Sequence, residues 1–120
     1  MTDHQRSIDS IEKALEVSAA LRRRLVANER TGRSMVKALR RGDPVSMVVG
    51  STPEPASEVR RSTTDLLADY ESVRHHMRTA LVLPYLAEGK TIGDLGRELG
   101  ISRQLASRLV KQAHEMSPGE

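Results

Sequence analysis

The sequence predicts an all-α protein, with a long-helix hairpin at the N-terminus as a scaffold and a compact three-helix unit at the C-terminus. Three observations carry this. Aromatic content is 2%, with two Tyr and neither Phe nor Trp. The core must then be built from Leu, Val, Ile, Met and Ala, a vocabulary better suited to packed helices than to a β-sandwich. Apolar residues recur at three- and four-residue steps over most of the chain, the spacing of one helical face. Only Val45–Gly50 reads as strand-like, and one short strand cannot make a sheet.

The first helix is expected from about Ser7 to Glu29, with Ile8, Ile11, Leu15 and Ala19 as its apolar stripe, extended by Leu25 and Val26. Gly32 is expected to interrupt it, with a short second piece from Arg33 to Arg41 carrying Met35, Val36 and Leu39 on one face. Gly42-Asp43-Pro44 is a stop signal. Val45–Gly50 then reads as an extended connector. Ser51 or Thr52 can cap the next helix, with Pro53 in its first turn and Glu54 at its positive end.

From about Pro55 to Leu83 one long amphipathic pattern follows. Val59, Leu66, Val73 and Ala80 fall seven apart, and Thr63, Tyr70 and Met77 fall seven apart between them. This is a heptad seam with Thr63 as its weak point. The seam, Val59, Leu66, Tyr70, Val73 and Met77 above all, can pack against the chain's own N-terminal helix or against a second copy. Pro84 interrupts this helix or starts its last turn, and Leu81, Leu83, Tyr85 and Leu86 are expected to form the first helix of the C-terminal unit. The expected division is 1–80 as scaffold and partner-binding or dimerisation region, 81–115 as the three-helix unit and 116–120 as a disordered tail.

The chain has no Cys, which removes disulfides and thiolate metal sites. No apolar run approaches the about 20 residues of a membrane span, and Met1–Arg6 lacks the apolar stretch of a signal peptide. A cytoplasmic location is therefore expected. Net charge is +3, but its distribution is uneven. Leu21–Gly42 holds eight Arg or Lys against Glu29 alone, Ser51–Glu88 holds four basic and six acidic residues, and Gly89–His114 holds five basic and two acidic. Of 19 basic residues 15 are Arg, the side chain suited to bidentate phosphate and guanine contacts. There is no nucleophile elbow, phosphate loop or paired-acid constellation, so no enzyme activity, catalytic residue or cofactor is expected. The adjacent His75 and His76 point about 100° apart on a helix, which makes a poor metal site.

The segment Thr91–His114 is the most informative. Thr91 can cap a helix, with Asp94 three residues on in a capping arrangement. Ile92, Leu95 and Leu99 make one apolar face, and Gly100 can supply the positive φ of a helix end. Ser102 can cap a following helix whose inward face is Leu105, Ala106, Leu109 and Ala113. Two such helices joined by a short Gly-containing turn make a helix-turn-helix. Gly96 stands where the helices cross and a small residue is needed.

Leu95–Lys111 resembles the helix-turn-helix of bacterial transcriptional regulators, a homeodomain-like unit similar also to the DNA-binding region four of sigma factors. Gly100-Ile101-Ser102 and Ser107-Arg108-Leu109 carry the match, and Tyr85–Ile92 resembles the sigma-type lead-in. The likeness covers about a quarter of the chain. Gly96 stands where the family usually has Ala, and Ala106 where it usually has Val or Ile; Leu105 is a candidate to fill that volume. The resemblance implies a sequence-specific regulator binding double-stranded DNA, with Ser102–His114 in the major groove. Ser102, Arg103, Gln104, Ser107, Arg108 and Lys111 lie off the inward stripe, and Lys90 and Thr91 sit where the family touches the DNA backbone. Arg103 can pair with guanine and Gln104 with adenine, while Lys111 suits a phosphate.

Arg22, Arg23, Arg24, Arg40 and Arg41 form a second basic block. They can be a solvated face, a second phosphate contact, or partners of Glu54, Glu58, Asp65 and Asp69. A homodimer fits DNA binding of this kind. The other readings of the chain are a module that docks on RNA polymerase or a sigma factor, and a low-specificity nucleoid-associated DNA binder.

Overall fold

The computed structural model describes residues 2–116, so that of the expected tail only Met116 is described, as the last residue of a helix. The fold is all-helical: among the described residues there are five helices and no strand, in the order α1 (Asp3–Arg40), α2 (Val45–Gly50), α3 (Ala56–Ala87), α4 (Ile92–Leu99) and α5 (Arg103–Met116). No helix among the described residues is long and apolar enough to cross a membrane.

Four sequence expectations are corrected here. α1 runs through Gly32 without a break; one Gly costs a helix interior only about 1 kcal/mol, which a 38-residue helix absorbs. Val45–Gly50 is a helix, begun by the N–H groups of Met47 and Val48 donating to the Pro44 carbonyl at 3.1 Å. Strand propensity is a preference for a pleated, half-buried surface, and no neighbouring strand exists to provide one. Neither Ser51 nor Thr52 caps α3, which starts at Ala56, where the N–H of Val59 closes onto the Pro55 carbonyl. Leu81–Leu86 is no separate helix, because α3 continues through Pro84 to Ala87.

The described residues of Met1–Leu15 and Ser72–Glu120 make one compact unit, and Glu16–Glu71 makes the other. This grouping differs from a division near residue 80, since the first turns of α1 and the end of α3 belong with α4 and α5. In that unit Val82, Leu95, Ala106, Leu109 and Ala113 form the core, with Leu83, Tyr85, Leu86, Ile92, Ile101 and Val110 packed on it. Val82 is wholly buried while Leu81 beside it is exposed.

The same unit explains why Pro84 is tolerated. A proline has no N–H, so the carbonyl four residues earlier loses its helical donor. That carbonyl belongs to Ala80, and the buried Ser7 hydroxyl of α1 stands 3.0 Å from it and 3.0 Å from the Asp3 carbonyl, its one proton shared between the two. A hydroxyl from another helix thus offers the Ala80 carbonyl a donor in place of the one that the proline removes.

In the Glu16–Glu71 unit the buried apolar residues are Leu21 and Val48. Polar clasps supplement them. Arg24 forms a two-pronged ion pair with Glu54, at 2.8 and 3.2 Å. The Asn28 amide donates to the Thr63 hydroxyl at 3.2 Å, and Thr63 in turn donates to the Val59 carbonyl at 2.8 Å. The residue expected to weaken the seam therefore fastens it.

Of the heptad seam, Val59, Leu66, Tyr70, Val73 and Met77 are all half-buried. The apolar stripe expected on α1 is largely displaced. Ile8, Ile11, Leu15, Leu25 and Val26 are exposed, while Ala19 is half-buried. The covered positions of α1 include a stripe of Ser7, Ser10 and Ala14 in one unit and Val17, Leu21, Arg24, Asn28, Thr31, Met35 and Ala38 in the other. They alternate steps of three and four, but most are small or polar.

Candidate nucleic-acid interface

α4 and α5 are shaped by local chemistry. Thr91 caps α4: its hydroxyl accepts from the Asp94 N–H at 3.0 Å, and the Asp94 carboxylate accepts from the Thr91 N–H at 2.9 Å. Each side chain satisfies a backbone donor that the helix start would leave unpaired. Those bonds from Thr91, helped by Arg97, hold the Asp94 carboxyl below its usual titration range.

The other end of α4 is closed by Gly100, at φ 66° and ψ 35°, a left-handed conformation that costs a side-chain-bearing residue about 1–2 kcal/mol. The Gly100 N–H donates to the Arg97 carbonyl and the Ile101 N–H to that of Gly96, at 3.3 and 2.9 Å. These are the paired bonds of a Schellman ending. They turn Ile101 back onto the core. Ser102 then caps α5, its hydroxyl accepting from the Leu105 N–H at 3.1 Å and its carbonyl from the Ala106 N–H at 3.0 Å. Three residues, Gly100–Ser102, thus reverse the chain between the two helices.

The contact between them is close. A Cβ on Gly96 would lie 3.2 Å from the Ile101 carbonyl oxygen, 3.7 Å from that of Ser102 and 3.8 Å from the Ala106 methyl. Gly96 and Ala106, where the sequence departs from the helix-turn-helix pattern that it resembles, face each other. Leu105 does not fill the volume left at Ala106, since Leu105 is half-buried and Ala106 is wholly buried. The helices close the gap instead. Leu99, expected inward with Leu95, lies at the exposed edge.

With Ala106, Leu109 and Ala113 turned inward, the opposite side of α5 faces solvent. Ser102, Arg103, Gln104, Ser107, Arg108 and Lys111 are all exposed, as are Lys90 and Thr91 before α4. The sequence places no acid between Ile101 and Ala113. Among the described residues no acid pairs with Arg103, Arg108 or Lys111. The face therefore carries uncompensated positive charge together with amide and hydroxyl groups. Thr91 has spent its oxygen on Asp94 as an acceptor, but its O–H proton remains a donor for a phosphate.

The second basic block divides. Arg24 is held by Glu54, and only 12% of its side chain is accessible, so its guanidinium is already engaged within the chain. Its hydrogen bond to Glu54 raises its own pKa and lowers that of the carboxyl. Arg41 pairs with Asp43 at 2.9 Å and Arg33 with Glu29 at 3.2 Å, both remaining exposed. Arg22, Arg23 and Arg40 are exposed. Of the expected acidic partners, Glu54 is the one seen in an ion pair with this block.

Sequence reasoning missed two buried residues of the unit that carries the candidate interface. Val82 is the deepest residue from α3 in the core, and Thr79, also buried, bonds its hydroxyl to the His75 carbonyl at 2.8 Å. Thr79, Val82 and Leu86 step by three and four, which was the available signal. Comparison with protein-family models, curated proteins and solved structures finds no match to this chain.

Proposed function

We propose that this chain is a sequence-specific transcriptional regulator that binds double-stranded DNA through α4 and α5 as a helix-turn-helix. The observation that supports it most is the two-sided character of α5. One side is buried against α4 at Gly96, and the other presents Arg103, Gln104, Ser107, Arg108 and Lys111 with no acid among them.

In this reading α5 lies in the major groove and its N-terminal residues meet base edges. Arg103 reads guanine and Gln104 adenine. Ser102 and Ser107 allow close approach, Arg108 holds a base or phosphate, and Lys111, Lys90 and Thr91 hold phosphates. A homodimer fits the reading, because two copies of α5 would read half-sites about one helical turn, ~34 Å, apart.

Selection of bound sequences from a random duplex pool tests this directly, with enrichment of a defined half-site as the expected result. Arg103→Ala should then lose ~1–3 kcal/mol of preference at one base pair. Lys111→Ala should weaken all sequences alike and reduce the salt slope by about one. Binding indifferent to salt, or a pool that stays random, would exclude groove recognition.

A further inference from the structure

We propose that this protein pairs with a second copy of itself through an apolar groove on the unit that carries α4 and α5, with the twofold axis passing at Leu81. The inference deepens the homodimer part of the function above and requires nothing of its DNA binding.

The groove encloses about 550 Å³ and runs along α3, with α4 and the start of α1 as its walls. Met77, Leu81, Tyr85 and Leu99 supply its apolar lining, with Arg74 at one end and Glu88 at the other. Leu81, at 41% accessible, and Leu99, at 36%, are large apolar side chains left open to water. The groove also touches His4 of α1. Ile8, Ile11 and Leu15, all exposed, follow His4 at helical steps on the same face. One face of this small unit thus gathers its unpartnered apolar surface. Such patches mark interaction sites in soluble proteins.

The occupant is indicated by the order of residues along the end of α3 and the turn directly after it, where Glu88 lies. Positions 74 and 88 lie equally far from 81, as do 77 and 85. A half-turn about an axis through Leu81 therefore lays two α3 helices antiparallel. It sets Arg74 against Glu88 of the partner subunit, Met77 against the partner's Tyr85, and Leu81 against the partner's Leu81. Opposite charges meet at both ends, sulfur meets an aromatic ring, and leucine meets leucine at the centre. An isologous interface demands this self-complementarity. A groove for an unrelated helix or a small ligand has no need of a charge pattern that inverts about its own midpoint.

The chain contains no Cys, so Leu81→Cys introduces a single thiol at the proposed axis, where two such thiols can come within disulfide reach. The 120-residue chain should sediment at twice 13.3 kDa. Mild oxidation should convert Leu81→Cys to a covalent dimer and leave Leu67→Cys, exposed on α3 in the other unit, reduced. Glu88→Arg, at an exposed position, should weaken the dimer about tenfold or more with unchanged helical content, and adding Arg74→Glu should restore it. The helix from Arg74 to Ala87 alone spans about 20 Å, with Glu88 in the turn beyond it, so the two positions of one chain are too far apart to pair and restoration can come only through the second chain. A monomer at tens of micromolar overturns the proposal. So does a dimer in which Leu81→Cys fails to cross-link, or in which the charge swap brings no recovery. None of these readouts involves DNA, so failure here leaves DNA binding to be judged separately.

Discussion

The unit carrying α4 and α5 and the Glu16–Glu71 unit draw on the same Leu, Val, Ile, Met and Ala vocabulary and use it differently. The first buries Val82, Leu95, Ala106, Leu109 and Ala113 to 4% accessibility or less; the second buries Leu21 to 9% and Val48 to 6%, and adds the Arg24–Glu54 and Asn28–Thr63 clasps. Short helices cross closely at Gly96 and Ala106, and the apolar residues beneath them are buried. In the second unit the covered positions of long α1 are mostly small or polar, and hydrogen bonds tie them to Glu54 and Thr63. Close packing contributes more free energy per residue than partly exposed polar pairs do. The two units should therefore answer differently to the same kind of substitution.

The largest difference should come from truncating leucine. Leu109→Ala should lower the unfolding free energy by ~2–5 kcal/mol in urea denaturation. Leu21→Ala should fall at or below the bottom of that range, because its cavity opens towards solvent. A larger loss at Leu21 would invert the ranking of the two units. Next comes Ser7→Ala, which leaves the Ala80 carbonyl without a donor and should cost ~1–3 kcal/mol. In a Pro84→Ala background the N–H of residue 84 can reach that carbonyl, so the same change should cost clearly less. Equal costs in both backgrounds would show that Ser7 does not compensate the proline.

Glycine offers a finer contrast. Gly96→Val should destabilise, since its Cβ already meets the Ile101 carbonyl oxygen at 3.2 Å, whereas Gly32→Ala meets nothing within 4 Å and should stabilise by up to ~1 kcal/mol. Thermal melts of the pair should move in opposite directions. The smallest effect is acid sensitivity. Asp94 and Glu54, one in each unit, titrate below their usual range when folded. Their stabilisation is complete above the unfolded carboxylate range near pH 4 and is lost as pH falls through the lowered values. Asp94→Asn and Glu54→Gln should each flatten the acid limb of a stability profile. An unchanged limb in both would remove the capping box and the ion pair as its source.

The sequence disclosed the α4–α5 region more fully than the rest because its determinants are local. Thr91 and Asp94, Gly100, and Ser102 each act within a few residues of themselves, so spacing alone exposes them. The stop at Gly42 is of the same kind. The face of α1 was not legible, because its most apolar residues, Ile8, Ile11 and Leu15, point outward and its covered ones include Ser7, Arg24 and Asn28. A polar residue declares itself as part of an interface only when its partner is known, and Glu54, Thr63 and Ala80 lie far along the chain. Val45–Gly50 misled for the opposite reason: β-branched residues signalled a strand that had no partner to pair with. Among the candidate contacts, exposure of the α5 set followed from its period, while the withdrawal of Arg24 from the basic block depended on a distant glutamate.

The bond between Ser7 and the Ala80 carbonyl also bears on how this sequence can change over generations. Proline at 84 creates a need that serine at 7 meets, so the two positions are unequal partners in any mutational path. A lineage that first replaces Pro84 keeps a viable protein and thereby frees Ser7 to drift. A lineage that first loses Ser7 must pass through a form with an unsatisfied carbonyl. Descendants should therefore include many with Ser7 and no proline, and few with proline and no hydroxyl at position 7.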